Sequence, residues 1–204
     1  MIPRNIQHLP DHLYPPEEWS VIETNFDRDW MGNAETIFSV SNGFLGIRGM
    51  FEEGRPAVEA GTFCNGFHET WPIIHAEEAY GFARTGQTIV NVPDPTLLKL
   101  YVDDEPLYLP TARLTEYRRE LDFRAGVLRR DMNWSSPAGK QVRIRSLRLV
   151  SLEYRHVGAI DYEIEIDTDA PVVISSQLLN RQDSRGTDEP QNGNGGDQRR
   201  ARGF

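Results

Sequence analysis

Three features of the sequence predict an all-β fold, an antiparallel β-sandwich: apolar side chains that recur every second residue, turn residues spaced about ten apart, and the lack of any dozen-residue segment with apolar groups at i, i+3, i+4 and i+7. Leu98, Leu100 and Val102 alternate with other residues. Ile160, Tyr162, Ile164 and Ile166 alternate with Asp161, Glu163, Glu165 and Asp167, the pattern of a strand with one buried and one solvated face. After Thr168-Asp169-Ala170-Pro171 the alternation resumes in Val172, Ile174, Ser176 and Leu178, which reads as the return strand of a hairpin. Met132 and Trp134 face Val142 and Ile144 across a turn at residues 135–140, a second hairpin. The apolar parity of Arg143, Arg145, Leu147 and Leu149 switches near Ser146, so a β-bulge is expected there. A short turn around Ile74 to Tyr80 is the best helical candidate.

The chain divides into a proline-bearing extended arm over residues 1–18, a sandwich over 19–180, and a polar stretch over 181–204 that contains Asn192-Gly193-Asn194-Gly195-Gly196. That stretch reads as a loop or frayed end leading into a missing remainder, so the chain looks truncated. Its 204 residues are enough for one sizeable core. A single cysteine, Cys64, excludes an intrachain disulfide and a Cys-based zinc cluster. With no signal-peptide pattern and no long apolar run, a cytoplasmic protein with no membrane partner is expected.

A net charge of −9 argues against nucleic acid as a partner. Residues 113–155 hold eleven basic and five acidic residues, but Arg118, Arg119, Arg129 and Arg130 lack interleaved aromatics. Cross-strand ion pairs on solvated sheet faces account for them better.

The densest motif runs from Glu35-Thr36-Ile37-Phe38 through Asn42-Gly43-Phe44-Leu45-Gly46-Ile47-Arg48-Gly49 to Phe51-Glu52-Glu53-Gly54. Its glycines are spaced Gly-x-x-Gly-x-x-Gly, which fits neither a dinucleotide fingerprint nor a phosphate loop. A hairpin fits: Asn42-Gly43 supplies a type I′ turn, while Gly46 and Gly49 let a backbone or ring come close. Arg48 needs a carboxylate in this apolar setting, with Glu35 the first choice over Glu52 and Glu53. An Arg48 that grips a substrate anion is the functional alternative.

The same motif resembles the N-terminal signature of glycoside hydrolase family 65, which includes maltose, trehalose, kojibiose and nigerose phosphorylases and some hydrolases. Trp19-Ser20-Val21-Ile22-Glu23 is similar to the family's opening strand, and Leu121-Asp122-Phe123-Arg124-Ala125-Gly126-Val127-Leu128-Arg129-Arg130, Arg148-Leu149-Val150-Ser151 and Arg199-Arg200-Ala201-Arg202-Gly203-Phe204 continue the likeness. The resemblance implies an N-terminal domain of the super-sandwich type, joined in the complete enzyme to a helical barrel that carries the acid glutamate and the phosphate site. The parent would act on α-glucosidic disaccharides as an inverting phosphorylase or hydrolase, with inorganic phosphate as co-substrate in the first case and no cofactor. Under that reading no catalytic residue lies in this chain, and the fragment alone is inactive. The missing barrel is its partner, and a homodimer is conceivable.

A second segment, residues 63–87, is aromatic for a stretch without clear periodicity. Trp71, His75, Phe82 and Arg84 could stack on or hydrogen-bond a sugar at the substrate entrance, or pack against the missing barrel or a second subunit. His68, His75, Glu77 and Glu78 fit no metal-ligand spacing. A free-standing carbohydrate-binding module or an oligomerisation domain is the competing class.

Overall fold

A computed structural model describes residues 9–58, 60–77 and 79–180. Within them lie one α-helix, α1 (Met31–Ile37), one 3-10 turn (Leu109–Thr111) and twelve strands. These are β1 (Ser20–Glu23), β2 (Val40–Ser41), β3 (Leu45–Ile47), β4 (Thr62–Pro72), β5 (Thr85–Asn91), β6 (Asp94–Val102), β7 (Glu105–Pro106), β8 (Arg113–Asp122), β9 (Val127–Ser135), β10 (Gln141–Val150), β11 (Gly158–Ile166) and β12 (Val172–Leu179). They form three antiparallel sheets ordered β1-β8-β9-β10-β11, β2-β3-β4-β5 and β12-β6-β7. The all-β sandwich class is confirmed.

Within the five-stranded sheet, the β9–β10 hairpin follows directly from the period-two pattern. Val142 lies opposite Trp134 and Ile144 opposite Met132, as the sequence predicts, and all four are buried. Leu100 and Val102 of β6 come from the three-stranded sheet into the same core, so two β-layers bury their alternating faces against each other. Each fully buried side chain of this size contributes about 1.5–3 kcal/mol of transfer free energy. A second core gathers Leu13, Tyr14, Phe38, Val40, Ile47, Leu128 and Val150. Leu13 and Tyr14 anchor the proline-bearing N-terminal stretch there.

Four expectations are corrected. β12 does not return beside β11: it crosses to the other layer and pairs with β6, Val172 opposite Val102 and Ile174 opposite Leu100. No bulge interrupts β10, whose register runs unbroken against both neighbours. Its buried face continues straight through Ser146 and Arg148. The parity switch vanishes once Arg148 is counted as an interior residue. Residues 73–75 belong to no helix; the one α-helix among the described residues is the seven-residue α1, too short for the helical period to register in sequence.

The fourth correction concerns the type I′ turn. At the β2–β3 hairpin only Gly43 has positive φ, +84°, and the two-residue loop is Gly43-Phe44, with Gly at the first central position as a type II′ turn has it. Two successive positive-φ residues occur instead at Asp103 and Asp104, between β6 and β7. Asn42 works through its side chain. Its Oδ1 accepts from the Phe44 and Leu45 amides, and its Nδ2 donates to the Ser151 and Arg155 carbonyls at 2.6 and 3.0 Å.

Candidate functional site

The signature segment, residues 35–54, leaves α1, makes the β2–β3 hairpin and ends in a turn that drives Glu52 and Glu53 between the layers. Three arginines reach it from the five-stranded sheet. Arg148 Nη2 lies 2.5 Å from Glu52 Oε1 and 2.8 Å from the Met50 carbonyl, and Nη1 donates to the Arg48 carbonyl at 3.1 Å. Arg130 pairs with Glu53 through both terminal nitrogens, at 2.7 and 2.5 Å, and with Glu52 at 3.1 Å. The Tyr162 hydroxyl donates to Glu53 at 2.7 Å. Arg119, 2% exposed, donates to the Gly49 carbonyl and lies over the rings of Phe38 and Phe51 at 4.7 and 4.4 Å. Glu23 accepts from Tyr14 and Tyr117 at 3.0 and 2.6 Å.

Burial alone would raise the Glu52 carboxyl, but the guanidiniums of Arg148 and Arg130 outweigh it and hold it at about 2. Glu35 shows the opposite balance. Its burial raises the carboxyl despite the Ala57 amide at 2.7 Å and the Arg48 guanidinium at 3.7 Å. The Arg48–Glu35 ion pair expected from sequence therefore forms, and Arg48 Nη2 also donates to Thr36 at 2.9 Å. Of the two glycines, Gly49 is tightly enclosed: a Cβ there would sit 2.6 Å from the Phe38 carbonyl oxygen. Gly46 is not; its virtual Cβ meets only Ser41, at an ordinary 3.6 Å. Sequence reasoning missed Arg119, Arg130 and Arg148 as interior partners of the motif.

Each carboxylate beneath the signature is thus engaged by arginine, tyrosine or a backbone amide. The cluster fixes the layers; it presents no open acid–base pair.

The exposed chemistry lies on the β4–β5 hairpin. Between Phe63↔Asn91 and His68↔Ile89, β4 carries three more residues than β5, an irregularity that includes Gly66 at φ +101°. Beyond it the register is regular to Pro72↔Thr85. Trp71 pairs with Gly86, where a Cβ would lie 2.5 Å from the indole, so the absent side chain is what lets the ring lie across the strand. The indole remains 39% exposed. His75 Nε2 is 2.8 Å from the Ala83 carbonyl and its ring centroid 4.9 Å from that of Phe82. The Arg84 carbonyl accepts from the Ile73 amide. Trp71, His75, Phe82 and Arg84 are therefore brought to one distal end of the hairpin, with Phe67, Ile74 and Tyr80 also exposed. Among the described residues no group of three His, Cys, Asp or Glu side chains could hold a metal ion. No helix among them is long and apolar enough to cross a membrane.

Residues 21–204 match the model of glycosyl hydrolase family 65, N-terminal domain. The chain belongs to that family. It is 40% identical over 176 residues to an uncharacterized glycosyl hydrolase of Mycobacterium leprae (strain TN), covering 86% of this chain and 22% of that protein. It is 40% identical over 157 residues to the alpha,alpha-trehalose phosphorylase of Thermoanaerobacter brockii, covering 75% and 20%. A solved structure that carries a provisional assignment as a kojibiose phosphorylase from human microbiome superposes with a TM-score of 0.73 at 24% identity, over 83% of this chain and 23% of that one. This last likeness concerns the fold. The chain spans about a fifth of the length of the curated relatives it matches.

Proposed function

We propose that this family 65 domain is the non-catalytic β-sandwich of a larger enzyme that cleaves α-glucosidic disaccharides with inversion, by phosphorolysis or hydrolysis. It braces a catalytic helical barrel and borders the sugar entrance with the distal end of the β4–β5 hairpin. The observation that carries this reading is the gathering of Trp71, His75, Phe82 and Arg84 at one exposed end. An indole face stacks on the apolar face of a pyranose, and imidazole and guanidinium groups bind its hydroxyls. Inversion needs one carboxylic acid to protonate the leaving oxygen while phosphate or water attacks the opposite face. The buried, arginine-bound glutamates here are unsuited to that task, so the acid comes from the barrel. Inorganic phosphate is the co-substrate of a phosphorylase, and a homodimer is compatible with the same scaffold.

The test is steady-state kinetics of the full enzyme carrying Trp71→Ala with Phe82→Ala, together with assays of the 204-residue chain. The expected result is a KM for the disaccharide raised about tenfold or more, equivalent to the loss of about 1.4 kcal/mol of binding, and no sugar phosphate or glucose released by the 204-residue chain. Unchanged KM refutes the entrance role. Turnover by the 204-residue chain refutes the division of labour, and millimolar sugar binding by it favours a free-standing carbohydrate-binding module.

A further inference from the structure

We infer that the free edge of β12 is a strand-addition site, filled by an apolar β-strand from polypeptide that lies beyond residue 204 in the full-length protein. The inference begins with register. Val172 and Ile174 stand directly opposite Val102 and Leu100, and directly opposed residues of an antiparallel pair point to the same face. That face is the core: Val102 and Leu100 are 0% and 1% exposed. Val172 and Ile174 nevertheless stand 40% and 50% exposed, and Val173, on the reverse face, 54%. Interior positions of the sandwich are thus left half in water where the layer stops. β12 pairs with β6 on one side, and among the described residues no strand occupies the other.

An apolar edge strand open on both faces is an association hazard that native sheets blunt with charge, proline, a bulge or a cover. Residues 172–174 are Val-Val-Ile, with neither charge nor proline. The irregularity between Gln177 and Leu179 lies at the opposite end of the strand. A cover is therefore required, and composition narrows its source. Residues 181–204 offer only Ala201 and Phe204 as apolar side chains besides Pro190, too few to mate with Val172 and Ile174. The curated relatives are about five times longer than the matched region, so the family supplies ample chain for the purpose. Twenty-five residues, 180–204, separate the end of β12 from any such strand. The occupant would place β-branched or leucine side chains beside Val172 and Ile174 and pair its backbone with the free edge.

Thiol labelling tests this independently of any sugar chemistry. In a Cys64→Ser background, Ile174→Cys is introduced both into the 204-residue chain and into the polypeptide extended to the length of the relatives. Iodoacetamide reactivity is then followed by mass spectrometry, with circular dichroism to establish that each protein is folded. The expected result is labelling of the 204-residue chain within about threefold of a free thiol and at least a hundredfold slower labelling of the extended protein. Val172→Cys serves in the same way where Ile174→Cys does not fold. Rapid labelling of both proteins overturns the inference. So does slow labelling of the 204-residue chain, which as a dimer would identify a second copy as the cover and as a monomer would place the cover within these 204 residues.

Discussion

Replacing Arg148 with methionine removes a buried cation while keeping most of the side-chain volume. In the folded protein this guanidinium holds Glu52 at 2.5 Å and donates to the carbonyls of Met50 and Arg48 at 2.8 and 3.1 Å. The substitution therefore leaves two interior carbonyls short of a donor and Glu52 with Arg130 alone, at 3.1 Å. Removing one partner of a buried ion pair costs about 3–5 kcal/mol. Since Arg130 still neutralises part of the Glu52 charge, the expectation lies near the lower end, about 3 kcal/mol, or about 6–12 °C in Tm for a domain of this size. Urea unfolding monitored by tryptophan fluorescence and near-ultraviolet dichroism reads it as a lowered midpoint at unchanged slope. The double variant Arg148→Met with Glu52→Gln should recover part of the loss, because the uncompensated charge is gone. A change below about 1 kcal/mol for Arg148→Met would refute the view that this contact ties the layers together.

Two further outcomes follow from the same interior. Glu52 titrates lower in the folded chain than in the unfolded one, so its stabilisation is complete above about pH 4.5 and is lost as pH falls toward 2; Glu35 titrates higher, so its contribution is complete below about pH 4.5 and is lost as pH rises through its raised value. Glu52→Gln should flatten the acid limb of a midpoint-versus-pH profile and Glu35→Gln the limb above pH 4.5, and unchanged limbs would contradict the assignment. Gly49→Ala forces a methyl against the Phe38 backbone, which must move for it to fit. A loss of about 3 kcal/mol or failure to fold is expected in thermal melts, at or beyond the upper end of ordinary overpacking, whereas Gly46→Ala should be tolerated.

β11 was legible because apolar and polar residues alternate along residues 160–167, and the β9–β10 hairpin because Met132 and Trp134 match Val142 and Ile144; β8, which lacks such alternation, was not. Partnership was less legible than existence. The alternation in Val172, Ile174 and Leu178 specifies a strand but not its layer, and the turn at residues 167–171 crosses between sheets instead of closing a hairpin. The bulge expected in β10 arose from treating arginine as an outward residue; the decisive information, Glu52 and the carbonyls of Met50 and Arg48, lies about a hundred positions away. At the hairpin, the residue types at Trp71, His75, Phe82 and Arg84 were visible, but not the pairing of Trp71 with Gly86 that brings them together, nor the three-residue offset within β4. No local pattern encodes that offset.

The pairing of β1 with β8 also sets a schedule for biosynthesis. Ile22 meets Glu120 across nearly a hundred intervening residues, whereas β8 through β11 are consecutive neighbours that can zip together as they emerge. At about 5–20 residues per second, the first strand leaves the ribosome on the order of ten seconds before its mate exists. During that interval Val21 and Ile22 have no sheet to join, so the apolar face of β1 stays in water until β8 arrives.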